Sequence, residues 1–385
     1  MNPLKKRIGV LGGGQLGRMM IEETLRLNVT FNILENDKDC PCAPICDTFM
    51  EGSLMDEAKI RELAAISDVL TWEIEHVNTD VLLALAAEGK EIIPAPSVLK
   101  IIQDKGLQKQ FYFDHQIPTG AFFLVQTEEE WFEAIEKLPG SKFVAKTRKG
   151  GYDGKGVAIL SKYDILNRLE PIPFEGPCLL EAFVPCEKEL AVIVARDREG
   201  NMVSYPSIEM EFDPEANLVT LLLSPARIGS IIEEKAKQIA RDVVAAFNSP
   251  GLFAVEMFLD PEGNLFVNEV APRAHNSGHH TIEACYTSQF EQLTRILLGL
   301  PLGSTELIQP AAMLNLLGAK DFSGSYKLDK LHEVSKLPGV YVHLYAKKES
   351  KPMRKMGHVC LMAPNLPELL EKAAYVSKHL VFVKD

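Results

Sequence analysis

The sequence predicts a multidomain protein of the α/β and α+β classes, and three features predict it. Short apolar strands alternate with amphipathic helices through the first hundred residues, antiparallel strands with a hairpin fill the middle, and two breaks, Pro94-Ala-Pro96 and Gly299-Leu-Pro-Leu-Gly303, divide the chain. At 385 residues, 46% hydrophobic and 24% charged, it is long enough for two or three such units.

Ile8 to Leu11 reads as a buried strand, followed by Gly12-Gly-Gly-Gln-Leu-Gly17 and a helix from about Gln15 to Leu27. Glycines 12, 14 and 17 fit G-x-G-x-x-G, and the strand Thr30 to Leu34 ends at Glu35, where a dinucleotide fold places its ribose acid. The same glycines serve any turn in which a backbone nears a phosphate or a helix packs closely on its strand. Helix Asp56 to Ala65, strand Val69 to Trp72, helix Thr79 to Ala87 and strand Glu91 to Ile93 continue the alternation, which predicts a parallel sheet. Ligands of such sheets lie beyond the strands' carboxyl ends, so Gln15 and the segment Trp72-Glu73-Ile-Glu75-His76 face one crevice, unless the two glutamates merely line a solvated loop. Ser97 reads as the cap of a helix running to about Gln110, and a domain boundary falls between residues 95 and 120.

Thr127-Glu-Glu-Glu130 opens a helix to Leu138, and strand Phe143 to Lys146 leads into Lys146-Thr-Arg-Lys-Gly150-Gly-Tyr-Asp-Gly-Lys-Gly156. Four glycines beside four cations can curl amides around a polyphosphate while the cations neutralise it; a flexible hairpin is the plainer alternative. The segment is not a Walker loop, because G-K-[ST] is missing and a strand, Val157 to Leu160, follows. Leu179 to Val184 and Glu187 to Arg196 read as further strands. Their residues Glu181 to Val184 and Glu189 could serve an adenine and a ribose or be ordinary strand residues.

Strands Leu252 to Leu259 and Leu265 to Val270 flank the turn Asp-Pro-Glu-Gly. If Asp260 pairs with Leu265, Glu256 falls opposite Glu269. Facing carboxylates destabilise a ladder unless protonated, paired with a cation or holding a metal, and magnesium with a phosphate answers that need; a solvated face is the alternative. The polar loop after Pro272, with Arg273, His275, Asn276, Ser277, His279 and His280, reads as an anion site.

Beyond the second break, three short apolar runs and a helix, Leu366 to about Leu380, read as a small mixed domain. Its segment 347–358 is the most basic of the chain, either a solvated turn or a phosphate clamp made by Lys351, Arg354 and Lys355. The net charge of -12 argues against nucleic-acid or anionic-membrane binding. No apolar run reaches a membrane span, and the start does not read as a signal peptide, so a cytoplasmic location is expected. Seven cysteines suit reduced thiols better than disulfides; Cys40, Cys42 and Cys46 lack zinc-type spacing.

Taken together, Gly-Gly-Gly-Gln-Leu-Gly, the 146–156 loop, Asn268-Glu-Val-Ala-Pro-Arg-Ala-His-Asn-Ser-Gly-His279 and Arg354-Lys-Met-Gly-His358 resemble, in order and over essentially the whole chain, the 5-(carboxyamino)imidazole ribonucleotide synthase family of ATP-grasp enzymes. The resemblance implies an amino-terminal Rossmann-like domain (1–108), an ATP-grasp domain (109–305, lid lobe about 115–185) and a small carboxyl-terminal mixed β domain (306–385). For ATP it implies Lys105 and Lys146 on phosphate and a lid of Gly151, Tyr152, Asp153, Gly154, Lys155, Gly156 and Val157. It also places Glu181, Ala182, Phe183 and Val184 at adenine, Glu189 at ribose, and Glu256 and Glu269, with Asn268, at magnesium. Arg273 would face bicarbonate, with His275 and Tyr152 orienting the acid or amine. Aminoimidazole ribonucleotide would meet Gln15, Glu73, Tyr152, Asp153, Asn276 and Ser277, with Lys351, Arg354 and Lys355 on its phosphate. The implied reaction passes through carboxyphosphate under a closed lid; a homodimer, and product transfer to a separate mutase, are also implied.

Two departures stand out. Gln103-Asp104-Lys105 replaces Gln-Asp-Arg, and Tyr205-Pro206-Ser-Ile-Glu-Met-Glu-Phe212 lacks the family's asparagine and histidine. Competing readings are a nicotinamide-nucleotide enzyme resting on Gly12 to Gly17 and Glu35, another ATP-grasp ligase such as formate-dependent glycinamide ribonucleotide transformylase, and a regulatory nucleotide binder without turnover.

Overall fold

The computed structural model describes residues 3–150, 156–212 and 219–385. Its amino-terminal sheet is parallel, in the order Thr48–Glu51, Thr30–Glu35, Arg7–Leu11, Val69–Trp72, Glu91–Ile92. The order reverses direction at Arg7–Leu11, so a crevice opens between the carboxyl ends of that strand and Val69–Trp72, at Gly12 and Glu73. One face of the sheet has its own core around Leu11, Leu63 and Trp72. The other shares a core with the middle of the chain, where Met19, Met20 and Ile33 join Ile193, Phe290 and Leu297.

The middle holds two antiparallel sheets. The smaller has the order Phe122–Val125, Cys178–Ala182, Lys142–Thr147, Val157–Ser161 and packs its core on helix Glu128–Lys137 through Trp131 and Ile135. Among the described residues the larger has nine strands. Leu265–Ala271, Gly251–Leu259, Lys188–Arg196, Ile208–Phe212 and Val219–Ser224 run without a break into Ala311–Leu317, Lys355–Met362 and Val340–Leu344; Met202–Ser204 also pairs with Lys188–Arg196. Three of the carboxyl-terminal strands therefore extend the central sheet, joined where Leu221 to Ser224 face Leu314 to Ala311, while Tyr326–Leu328 and Phe382–Lys384 pair in a small antiparallel sheet of their own. A separate core beneath helix Leu366–His379 gives this end its own packing. Among the described residues, no helix is long and apolar enough to cross a membrane.

Three expectations need correction. The helix predicted from Ser97 to Gln110 is two, Pro96–Ile102 and Lys105–Asp114, because Asp104 caps the second by accepting from the amides of Gly106 and Leu107. The strand predicted to reach Val184 ends at Ala182. In the hairpin Leu259, not Asp260, pairs with Leu265, while the Asp260 amide bonds Asn264.

Candidate active site

That tighter turn alone would have placed Glu256 opposite Asn268. A bulge restores the expected pair: the register shifts between Met257, opposite Val267, and Glu256, opposite Glu269, leaving Asn268 as the extra residue. Asn268 uses its freedom to accept, through Oδ1, a hydrogen bond from Lys146 Nζ at 3.1 Å. The two sheets thus meet at the bulge.

Between them lies a cleft of about 460 Å³ lined by Lys105, Lys109, Lys146, Val157, Glu181, Ala182, Phe183, Val184, Glu189, Glu256, Asn268, Glu269, His275, Asn276 and Lys355, with Phe212 and Val219 also at its wall. Phe212, the departure noted above, therefore stands at the cleft itself. Both carboxylate oxygens of the buried Glu181 are taken, Oε1 by Lys109 Nζ at 2.5 Å and Oε2 by Lys146 Nζ at 2.7 Å. Burial pushes the Glu181 carboxyl up, but the two ammonium groups outweigh it and hold it at about 2. Its side chain is therefore committed. Because Cys178–Ala182 is an inner strand, Glu181 and Ala182 also have their backbone in the ladder. Peptide groups beyond the ladder begin at Phe183 and Val184, which line the cleft.

Glu189 is lifted to about 7 by burial and then by Glu269. Burial, Glu269 and Glu189 together push Glu256 well above the carboxylate range. Facing carboxylates held in this state are short of positive charge, and a hard divalent ion completed by phosphate oxygens fits them. Among the described residues, no group of three or more His, Cys, Asp or Glu is arranged as a metal site.

His275 stands with Nε2 3.3 Å from Glu256 Oε1, while its Nδ1 accepts from the Ser277 amide at 3.3 Å and lies 2.9 Å from Ser277 Oγ. Burial, Arg273 and Lys355 lower it to about 3, so it is neutral. Asn276 exchanges amide hydrogen bonds with Asn315, at 3.0 and 3.1 Å, and Asn315 also donates to Val219 O at 2.7 Å. Arg273 is forked onto Glu75, placing it at the crevice of the amino-terminal sheet.

At that crevice the Glu73 carboxylate accepts from the amides of Gly14 and Gly17, the latter at 2.6 Å, and Glu35 Oε2 accepts from Gly13 at 3.1 Å. The amides a dinucleotide pyrophosphate would need are thus occupied by the protein's own acids, which removes the ground for the nicotinamide reading. A Cβ on Gly14 would lie 2.7 Å from Glu73 Oε1, so the close approach explains that glycine. Gln15 begins the helix on this same turn.

The Lys105 amide donates to Arg148 O at 2.8 Å, and its Nζ donates to Gly150 O at 3.3 Å. Arg148, one of the loop's four cations, is instead forked onto Asp104 with two contacts of 2.8 Å and anchors the loop. Gly156, at φ +75°, closes the loop's far end by accepting from the Thr147 amide. Gly151, Tyr152, Asp153, Gly154 and Lys155 lie outside the described residues.

Of the basic trio, Lys355 lines the cleft, whereas Lys351 lies on an exposed turn and is not among the lining residues. Arg354 Nη1 donates to Glu349 O at 2.9 Å. Lys347, which the sequence reading passed over, donates to Lys355 O at 2.7 Å and is lowered to about 8 by burial, Arg354 and Lys355, with Glu73 opposing. Lys109, Glu75 and Asn315 were missed or left unassigned as well. Lys109 and Asn315 carried no signal in sequence, since a lysine on a helix and an asparagine in a strand are ordinary until their partners are known.

Comparison with known proteins agrees with this geometry. Residues 5–103 match the ribonucleotide synthetase preATP-grasp domain and 110–290 the ATP-grasp domain, so fold and cleft define an ATP-grasp protein. Residues 311–372 match the phosphoribosylaminoimidazole carboxylase C-terminal domain. The crystal structure of N5-carboxyaminoimidazole ribonucleotide synthetase from Thermotoga maritima is 40% identical, with TM-score 0.89, covering 99% of this chain and 100% of that one. The synthase from Aspergillus clavatus in complex with ADP and 5-aminoimidazole ribonucleotide is 33% identical, with TM-score 0.85, covering 98% and 99%. Phosphoribosylaminoimidazole carboxylase of Ogataea methanolica is 38% identical over 377 residues, 96% of this chain and 68% of that protein. The chain spans about two thirds of the length of such carboxylases. It belongs to the N5-carboxyaminoimidazole ribonucleotide synthase family.

Proposed function

We propose that the protein carboxylates the exocyclic amine of 5-aminoimidazole ribonucleotide, using ATP and bicarbonate and giving 5-(carboxyamino)imidazole ribonucleotide, ADP and phosphate in purine biosynthesis. The observation that carries this reading is the bulged pair Glu256 and Glu269 beside Lys146, in a chain of this family. Bicarbonate is a poor electrophile because hydroxide must leave. Its oxygen attacks the γ-phosphorus of ATP, ADP departs, and carboxyphosphate forms; the amine then takes the carboxyl carbon, either directly as phosphate leaves or from carbon dioxide released with phosphate.

Glu256, Glu269 and Asn268 would hold magnesium, which supplies charge neutralisation at the terminal phosphates. Lys146 and Lys105 bind the phosphates, and Arg273, held by Glu75 and with Nη1 also donating to Ala274 O, presents its remaining N–H donors to bicarbonate and the new anion. His275, neutral and fixed by Ser277, orients the acid or amine with Tyr152. Phe183 and Val184 meet adenine, and Glu189 the ribose. Gly151 to Val157 cover the triphosphate and keep water from carboxyphosphate. The nucleotide lies against Gln15, Glu73, Asp153, Asn276 and Ser277, with its phosphate toward Lys351, Arg354 and Lys355.

A cytoplasmic location is supported by seven free cysteines. A homodimer and a separate mutase follow from the family resemblance alone.

The test is phosphate release from ATP and magnesium in bicarbonate buffer. Release stimulated by aminoimidazole ribonucleotide and abolished in Glu269→Gln is expected; stimulation by glycinamide ribonucleotide with formate instead would overturn the substrate while keeping the fold.

A further inference from the structure

We propose that Lys109 is a positioning residue that neutralises Glu181, leaving the charge of Lys146 available to the triphosphate; this rests on the ATP reading of the cleft. Lys109 rises from helix Lys105–Asp114 with its side chain 5% exposed. An ammonium has three donors. Those of Lys109 are directed at Glu181 Oε1 at 2.5 Å, Thr119 Oγ1 at 2.5 Å and Val267 O at 3.4 Å, so none is left for a phosphate. Thr119 Oγ1 in turn donates to Val267 O at 2.9 Å. The contacts tie the buried carboxylate to the residue just before the Asn268 bulge.

The other oxygen of Glu181 holds Lys146 at 2.7 Å. Two lysines on one carboxylate leave the trio with one net positive charge. Without Lys109 the net charge is zero, and Lys146 is fully paired before any nucleotide arrives. In a buried setting that difference acts strongly, because little solvent screens it. Lys109 also helps to keep Glu181 where Lys146 can rest on it and on Asn268 together. Its role is therefore exerted through Glu181, at the phosphate end of the cleft.

The experiment measures ATP and ADP affinity by calorimetry, and KM against kcat, for the full chain, Lys109→Met, Glu181→Gln and the double variant. Lys109→Met should weaken ATP by about tenfold or more, the scale of breaking a buried pair, and raise KM for ATP more than it lowers kcat. Adding Glu181→Gln restores one net positive charge and should recover most of the affinity. A double variant that binds no better than Lys109→Met would show that Lys109 is only a scaffold and overturn the proposal. If Lys109→Met does not fold, Glu181→Gln decides: binding as tight as wild type or tighter supports charge balance, and weaker binding refutes it. Failure of the unaltered chain to bind ATP would instead sink the reading of the cleft.

Discussion

Arg273 is fastened to Glu75 by a fork, with Nε 2.8 Å from Oε1 and Nη2 donating to Oε2 at 3.1 Å, so the loop after the carboxylate hairpin is fixed to the crevice of the amino-terminal sheet. Neither residue is fully buried. Glu75→Gln should therefore cost only about 1 kcal/mol of stability while releasing Arg273 from its orientation. We expect kcat to fall about tenfold, as positioning losses do, with a nearly unchanged melting temperature. Unchanged kcat in steady-state assays would remove Arg273 orientation from the mechanism.

Glu73 fills the turn that the glycine motif builds. Glu73→Ala would leave the amides of Gly14 and Gly17 without their acceptor, at about 1–3 kcal/mol for a buried orphaned group. A lowered denaturant midpoint, with no nicotinamide-nucleotide fluorescence change in either protein, is the expected outcome.

Asn315 sits behind Asn276 and has no reason to touch substrate itself. In Asn315→Ala the reciprocal amide pair is lost, so Asn276 no longer has one fixed orientation. KM for aminoimidazole ribonucleotide should rise about fivefold to tenfold, in line with one hydrogen bond, with kcat for bound substrate less affected. Equal loss in both parameters would argue that the asparagine pair only supports the sheet.

His343 on strand Val340–Leu344 meets Glu283 at 2.6 Å, linking the carboxyl-terminal strands to the short helix Thr281–Ala284 beyond the site. Burial lowers its pKa, but Glu283 outweighs burial and the net shift is upward from 6.5. A raised histidine stabilises the fold fully below its unfolded pKa and loses that contribution as pH rises through the folded value. Melting temperature should thus decline from pH 6 upward by more in the wild type than in His343→Gln. Parallel curves would show that the pair does not titrate with folding.

The hairpin was legible because alternation and a turn signal fix which residues share a face, and Glu256 and Glu269 were expected opposite each other. The route was not legible: a tighter turn and a bulge at Asn268 cancel, and a bulge has no composition of its own. The glycine motif is legible as a strand, turn and helix, but its partner is Glu73, just past strand Val69–Trp72 and more than fifty residues away, which no local pattern reveals. Asp104 is one letter of the Gln103-Asp104-Lys105 motif, and its residue type also suits the helix cap it forms in the structure. The joining of Ala311–Leu317 to Val219–Ser224 was invisible because Val219 to Ser224 had not been recognised as a strand at all.

The central step of the proposed reaction is phosphorylation of bicarbonate in the cleft between the two sheets. Turnover in bicarbonate labelled with ¹⁸O, with ATP, magnesium and aminoimidazole ribonucleotide, tests it most directly. If carboxyphosphate forms and its carboxyl is passed to the amine, the bridging oxygen from bicarbonate stays with phosphorus, and each released phosphate carries one labelled oxygen. Phosphate released without label, while the carboxylated nucleotide accumulates, would contradict the account.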